Sequence, residues 1–336
     1  MTNHYKFPSI DTFATFVANV KRRAFLVDLD ENNVPMWDTT RKLPTLQVVG
    51  TVKLHGTNAG VYLNEEELVC QSRTAVLTED KDNSGFASHV AAHAEEFRDT
   101  LYLLEEYAGE PCVLFGEWCG QGIQKGTGVN KLTKRFVYFA AKGLTTKTWY
   151  DLDGFEHWEP EAGIDFVSSV PQYQLTLDFE DLENVARQLE ELTVQVENSC
   201  PYTKYHGEDG VGEGIVWRTT TVGFDSPKYW FKTKGEKHKG TKTKQLVEVS
   251  EEKADSIARF VEMVLTESRL EQGLDYLRGE GLPTEMTHLG VFLRWVNTDV
   301  AKEETTRLEA SGLSAKEAGK AVAHAAKQWF KEKGML

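Results

Sequence analysis

No stretch of this sequence is apolar for long enough to cross a bilayer, so a membrane-embedded protein is not expected. The opening residues, Met1 to Pro8, hold no apolar core, so no secretory signal is expected there. There is no internal repeat and no low-complexity tract, which excludes solenoids and compositionally biased linkers. Cys70, Cys112, Cys119 and Cys200 form no CxxC pair, so a zinc knuckle is not expected. They read as small core residues in the reducing surroundings of the cytoplasm. Positive charge is also in deficit: 38 Lys and Arg against 52 Asp and Glu leave a formal charge of −14. That argues against a protein that coats nucleic acid over its whole surface, but a local basic groove remains compatible with it.

What is present suits a folded chain of one large and one smaller domain: 336 residues, 40% hydrophobic and 27% charged. Ile10 to Val20 reads as a short helix with Asp11 as its cap. Leu46 to Lys53 reads as a strand rich in Val, Leu and Thr, followed by a turn at His55-Gly56-Thr57-Asn58. Ala59 to Leu63 and Leu68 to Arg73 continue the strand pattern as antiparallel sheet. Phe86 to Tyr107 has helical spacing through Phe86, Val90, His93, Phe97, Leu101 and Leu104, and His93 on that face reads as a satisfied core histidine. Strands return at Pro111 to Trp118, Phe136 to Ala141, Glu213 to Arg218 and Lys228 to Lys234, with an amphipathic helix at Leu182 to Val196. Ser250 to Leu270 is helical by spacing, and Ser314 with Glu317 fits a capping box opening an Ala-rich helix to about Lys331. The expected fold class is α+β: an antiparallel-sheet domain over residues 1–245, then a small all-helical domain over 246–336, with the boundary near Gln245.

Four segments carry residues suited to chemistry. Lys53 ends a strand and is followed by a Gly-containing turn; a neutral lysine amine is a nucleophile, and a glycine lets backbone approach a phosphate. Glu117, in Phe115-Gly116-Glu117-Trp118, can accept from a ribose hydroxyl or help hold a metal. Glu213 heads an apolar strand, a place suited to a hydrated divalent ion. In Trp230-Phe231-Lys232-Thr233-Lys234, alternation puts Lys232 and Lys234 on one strand face, with Tyr229, Phe231 and Thr233 on the other. Two lysines side by side call for an anion such as a triphosphate, although edge-strand lysines also deter aggregation. A basic run, Lys228, Lys232, Lys234, Lys237, Lys239, Lys242 and Lys244 against Glu236 alone, is either a solvated face or a phosphate track. Gly120-Gln121-Gly122 with Gly126 has the wrong spacing for a dinucleotide fingerprint.

In this order the segments KLHGTN, FGE, EGIVWR and KTK resemble the ordered motifs of the covalent nucleotidyltransferases, which include polynucleotide ligases and capping enzymes. QSRT at Gln71 to Thr74, FGEWCGQGIQKG from Phe115 to Gly126 and the helical C-terminal segment resemble more narrowly the nick-sealing RNA ligase 2 family of phage and trypanosome editing ligases. The resemblance runs from Leu46 to the C-terminus. It implies an adenylyltransferase domain that takes ATP and Mg²⁺ or Mn²⁺, places AMP covalently on Lys53, and works as a monomer on RNA. It further implies that His55 and Gly56 line the phosphate side of the pocket, that Asn58 lies near the nucleotide, and that Arg73 contacts phosphates or the nucleic-acid end. Glu117 matches the ribose-binding glutamate, Phe139 the aromatic that stacks on adenine, Glu213 the metal-organising acid, and Lys232 and Lys234 the α-phosphate lysines.

Three departures stand out. Val52 precedes the nucleophile and Ala140 follows the stacking aromatic where the family often has acids, and Arg22 to Leu43 reads as an insertion of unknown role. A DNA ligase or a capping enzyme is the nearest alternative, but both usually carry an OB-fold where this chain reads as helix. A catalytically dead RNA-binding module of the same fold is the alternative from another class; against it, every catalytic position is filled.

Overall fold

The computed structural model describes residues 2–29, 35–155, 157, 159–238, 253–310 and 313–333. The chain separates into two compact units, Met1–Gly235 and Glu236–Leu336. The expected boundary at Gln245 and the lysines at 239, 242 and 244 lie outside the described residues. No helix among the described residues is long and apolar enough to cross a membrane.

The first unit is α+β and is built on two sheets. One has the strand order Asp11–Thr12, Phe231–Lys234, Gly214–Thr219, Leu46–Lys53, Tyr173–Leu177. The other runs Trp149–Tyr150, Arg135–Gly143, Cys112–Cys119, Thr57–Asn64, Glu67–Ser72, Val76–Leu77, with Ile164–Phe166 also on the Arg135–Gly143 strand. Pairing is antiparallel except for Asp11–Thr12 on Phe231–Lys232 and Ile164–Phe166 on Phe136–Tyr138.

Alternation decides what each face carries. In Leu46–Lys53, the side chains of Leu46, Val48 and Val52 enter the main core, where Phe16, Trp217 and Phe231 also pack. The ring of Phe231 lies 4.6 Å from that of Phe16 and 6.2 Å from that of Trp217. The opposite faces of the two sheets meet in a smaller cluster. Val216 comes from one sheet, Trp230 from the residue just before that sheet's Phe231–Lys234 strand, and Phe115, Val113 and Ala140 from the other sheet, with Phe7 among them. Arg218 joins the sheets again by donating to Asp151 at 2.6 Å and to Asp153, both in the loop after Trp149–Tyr150.

Several expected elements differ in detail. Asp11 does not cap a helix: Asp11–Thr12 pairs with Phe231–Lys232, and Thr12 caps the helix Phe13–Phe25, its hydroxyl accepting from Thr15 N–H. The helix expected over Phe86 to Tyr107 is two helices, Phe86–Ala92 and Ala94–Ala108, broken at His93 (φ −119°, ψ 37°). His93 therefore sits half-buried at the break, 3.8 Å from Glu96. His89 is the packed histidine instead: its Nε2 bonds to Ala162 O at 2.8 Å, and burial pulls its pKa down to about 4. The strand expected from Lys228 starts at Phe231, because Pro227–Tyr229 forms a 3₁₀ turn. Tyr229 consequently does not share a strand face with Phe231, and its hydroxyl accepts from Arg23 at 3.1 Å. Within Arg22 to Leu43, residues up to Phe25 finish the first helix, and Leu26–Leu29 pairs antiparallel with Pro35–Trp37. All four cysteines are buried and unpaired, and burial pushes Cys70 and Cys112 up to about 12, which leaves them poor nucleophiles.

The second unit is helical: Lys253–Val264, Glu267–Gly279, Leu289–Glu303, Thr305–Ala310 and Ala315–Lys333. The single helix expected to Leu270 stops at Val264, and Thr266 caps the next one through Arg269 N–H. The capping box forms as expected: Ser314 N–H donates to Glu317, and Glu317 N–H donates to Ser314 Oγ at 3.3 Å. Phe260, Leu274, Phe292, Val322 and Phe330 lie in the unit's core. Among the described residues of this unit, charge is buried at Arg269 and Glu304. Arg269 is fully buried, donating to Asp299 and Glu304 at 2.9 Å each and to Val264 O. Arg269→Ala would strand those carboxylates, so a loss of about 3–5 kcal/mol from this unit is expected, read by chemical denaturation.

Candidate active site

The site lies where the two sheets present their charged residues. Cross-strand register sets Lys53 opposite Gly214, and Gly214 opposite Lys234, in one row across three strands; Lys232, opposite Val216, is two residues along the same face. Gly214 is needed in that row: its φ is +151°, and a Cβ there would run into the Thr233 carbonyl. The residue before it, Glu213, is buried with 3% exposure.

Glu213 is the hub. Lys53 Nζ donates to its Oε2 at 2.7 Å, and the Nδ1–H of His55 donates to the same oxygen at 3.1 Å. Lys234 Nζ lies 3.4 Å from Oε1. Burial alone would raise this carboxyl, but the ammonium groups of Lys53 and Lys234 and the His55 ring outweigh it and hold its pKa well below the usual range. Glu213 therefore stays ionised throughout the physiological range.

Glu117 reaches the cluster from the other sheet. Its Oε1 accepts from Gly56 N–H at 3.0 Å, and Asn58 stands directly across from it on the neighbouring strand. Gly56 packs so closely there that a Cβ would collide with the Trp118 carbonyl. Burial pushes Glu117 up to about 7, more than the pull of Lys53 lowers it, with Glu213 adding to the rise. Two neighbouring carboxylates thus differ in protonation: one is fixed as an anion, the other balanced near neutrality. A folded-state pKa raised from the usual 4.5 to about 7 costs nothing below the unfolded value, and the cost is complete above about 7. Glu117→Gln is therefore expected to stabilise the nucleotide-free protein at pH 8, by up to about 3 kcal/mol, and to be neutral near pH 4. Thermal melts of both proteins across that range check it.

Phe139 owes its place to a β-bulge. Phe115 pairs with Ala140 but Gly116 pairs with Tyr138, so Phe139 is the extra residue. It is half-buried between fully buried neighbours, with Phe7 edge-on at 5.2 Å. Of the residues expected at the site, the structure brings Lys53, His55, Gly56, Glu117, Glu213 and Lys234 together. Asn58 and Lys232 are placed on the same faces. Arg73 is not brought in: it is exposed, and its guanidinium donates to Ser9 Oγ at 2.7 Å.

Sequence reasoning missed Phe7, which packs on Phe115, Phe139 and Trp149 at 5.2–5.4 Å. A lone aromatic far upstream carries no signal of its own. It also missed Trp230, although alternation from Lys232 would have placed it on the cleft face.

Among the described residues, no group of three or more His, Cys, Asp or Glu gathers in a metal-binding arrangement. Both Glu213 oxygens already face cations. The residues therefore fit a hydrated ion held partly by a phosphate ligand better than a protein cage.

Solved structures similar to this chain include three of a Naegleria gruberi RNA ligase. Two are of mutants with ATP and Mn: one is 16% identical, covering 68% of this chain and 55% of that one (TM-score 0.42), the other 15% identical, covering 69% and 56% (TM-score 0.44). The third, with PPi, is 16% identical, covering 68% and 57% (TM-score 0.43). This chain thus spans a little over half the length of those proteins. A family model described as RNA ligase matches residues 46–234, from the strand that ends at Lys53 to the strand that carries Lys232 and Lys234. That is more than half of the sequence, and the chain belongs to the RNA ligase family.

Proposed function

We propose that this protein is an ATP-dependent RNA ligase of the nick-sealing type, which carries AMP on Lys53 and joins 3′-hydroxyl to 5′-phosphate ends in RNA repair. The observation that carries this reading is the Lys53–Glu213 contact at 2.7 Å, with Lys234 on the carboxylate's other oxygen and Glu117 facing it from the second sheet.

In the first step Lys53 passes its ammonium proton to solvent, and the neutral amine attacks the α-phosphate of ATP. The N–P bond forms, the bond to the bridging oxygen breaks, and pyrophosphate leaves with the electron pair. Glu213 holds the lysine in place at the end of its strand. Lys232 and Lys234, on the same face, stabilise the charge that grows on the phosphoryl oxygens. Glu117, balanced near neutrality, can either donate to or accept from a ribose hydroxyl. Phe139 offers a partly open ring to the base. A hydrated magnesium or manganese ion would neutralise the phosphates, with Glu213 and Glu117 as the carboxylates that would hold it through water. In the second step a 5′-phosphate oxygen of the RNA takes AMP from Lys53, freeing the amine. In the third, a 3′-hydroxyl attacks that activated phosphate, the phosphodiester forms and AMP departs.

The test is ATP-dependent joining of a nicked RNA duplex, set beside a nicked DNA duplex and single-stranded RNA. Joining of the RNA nick alone supports the reading; joining of the DNA nick alone overturns the RNA assignment.

A further inference from the structure

The last helix, Ala315–Lys333, buries Ala318, Val322, Ala326 and Phe330, one residue every four. At 100° per residue, Lys316, Lys320, His324, Lys327 and Lys331 fall within an arc of about 80° on the other side. All five are exposed. Of this helix's lysines, only Lys333, outside the arc, has an ion pair among the described residues, with Glu267 and Glu271. The acids of the helix do not interrupt the row: Glu317 is engaged by Ser314 in the capping box, and Glu332 falls outside the arc.

A row of uncompensated lysines is unusual in a chain of net charge −14, and its regular spacing fits a regular polyanion. It extends for about 22 Å, over which one strand of a duplex offers roughly six phosphates. No large apolar side chain lies within the arc, so the face lacks what a helix needs to enter a lipid surface. We propose that this lysine row tracks the phosphate backbone of duplex RNA. The inference rests on the ligase reading for the identity of the polyanion, and it adds the residues that grip the substrate outside the adenylylation site.

The test uses the full chain with Lys316, Lys320, Lys327 and Lys331 all changed to Gln, beside a variant with all four changed to Arg. Binding to a fluorescent nicked RNA duplex is followed by anisotropy at several salt concentrations. In the Gln variant the slope of log affinity against log salt is expected to fall by about three, with binding at low salt weakened at least tenfold. The Arg variant should keep both. An unchanged slope in the Gln variant overturns the proposal, and so does loss of binding to anionic vesicles with RNA binding intact. Self-labelling from ATP, which needs no RNA, is read on the same preparations. A wild type that never labels, yet loses RNA binding through the Gln variant, would sink the ligase chemistry and leave the lysine row standing.

Discussion

Lys53→Ala is expected to take up no AMP from ATP and to lose ATP-dependent joining entirely, while remaining folded. Glu213 would still pair with Lys234 and His55, so its buried charge would not be left alone. The same variant should still join a strand supplied already carrying AMP on its 5′-phosphate, because that substrate has passed the two steps that need the amine. Lys53→Arg sharpens the test. It keeps a positive charge against Glu213, and so most of the stability, but a guanidinium has no free lone pair at any usable pH. Arg at this position should therefore be as inactive in labelling as Ala. Labelling by either variant would move the nucleophile elsewhere.

Glu213→Gln has the second largest expected effect, and it acts on stability and on rate together. The carboxylate is buried at the meeting point of Lys53, Lys234 and His55. A neutral amide of the same shape would leave the Lys53 and Lys234 ammonium groups facing each other, at an expected cost of about 3–5 kcal/mol in the nucleotide-free protein. The adenylylation rate should fall by about 10²–10³, as when a preorganised charge is removed from a reacting centre. The folded-state pKa of Glu213 is depressed, so the wild-type advantage is present above the ordinary carboxylate range and is lost as pH falls through the folded value. ATP should rescue part of the variant's stability, because its phosphates supply negative charge to the same lysines. Melting curves with and without ATP, and single-turnover labelling, read the two effects separately.

Much of the site was legible because its parts are short and local. Leu46–Lys53 is rich in Val, Leu and Thr and ends at the lysine, so both the strand and the lysine at its end could be placed from the sequence. Lys232 and Lys234 share a face because a strand has period two, and that holds for any four residues of strand. What could not be read depended on partners distant in the chain. Thr12 pairs with Lys232 across more than two hundred residues, so a segment with helical spacing gives up its first turn to a sheet. The break at His93 is invisible to periodicity, since apolar residues continue in phase on both sides of it. Pro227 offered a hint that was not used: it favours a turn, and the turn carries Tyr229 out of the strand. Arg73, for which the resemblance implied a contact with phosphates or the nucleic-acid end, lies outside the Glu213 cluster and donates to Ser9 Oγ in the N-terminal segment.

The measurement closest to the central claim is incubation of the purified protein with Mg²⁺ and α-labelled ATP, beside α-labelled GTP, followed by mapping of the labelled peptide. The account predicts acid-labile label from ATP alone, on the peptide containing Lys53, removed by added pyrophosphate. A folded protein that takes no label after pyrophosphate treatment, or one that labels on another residue, would contradict it.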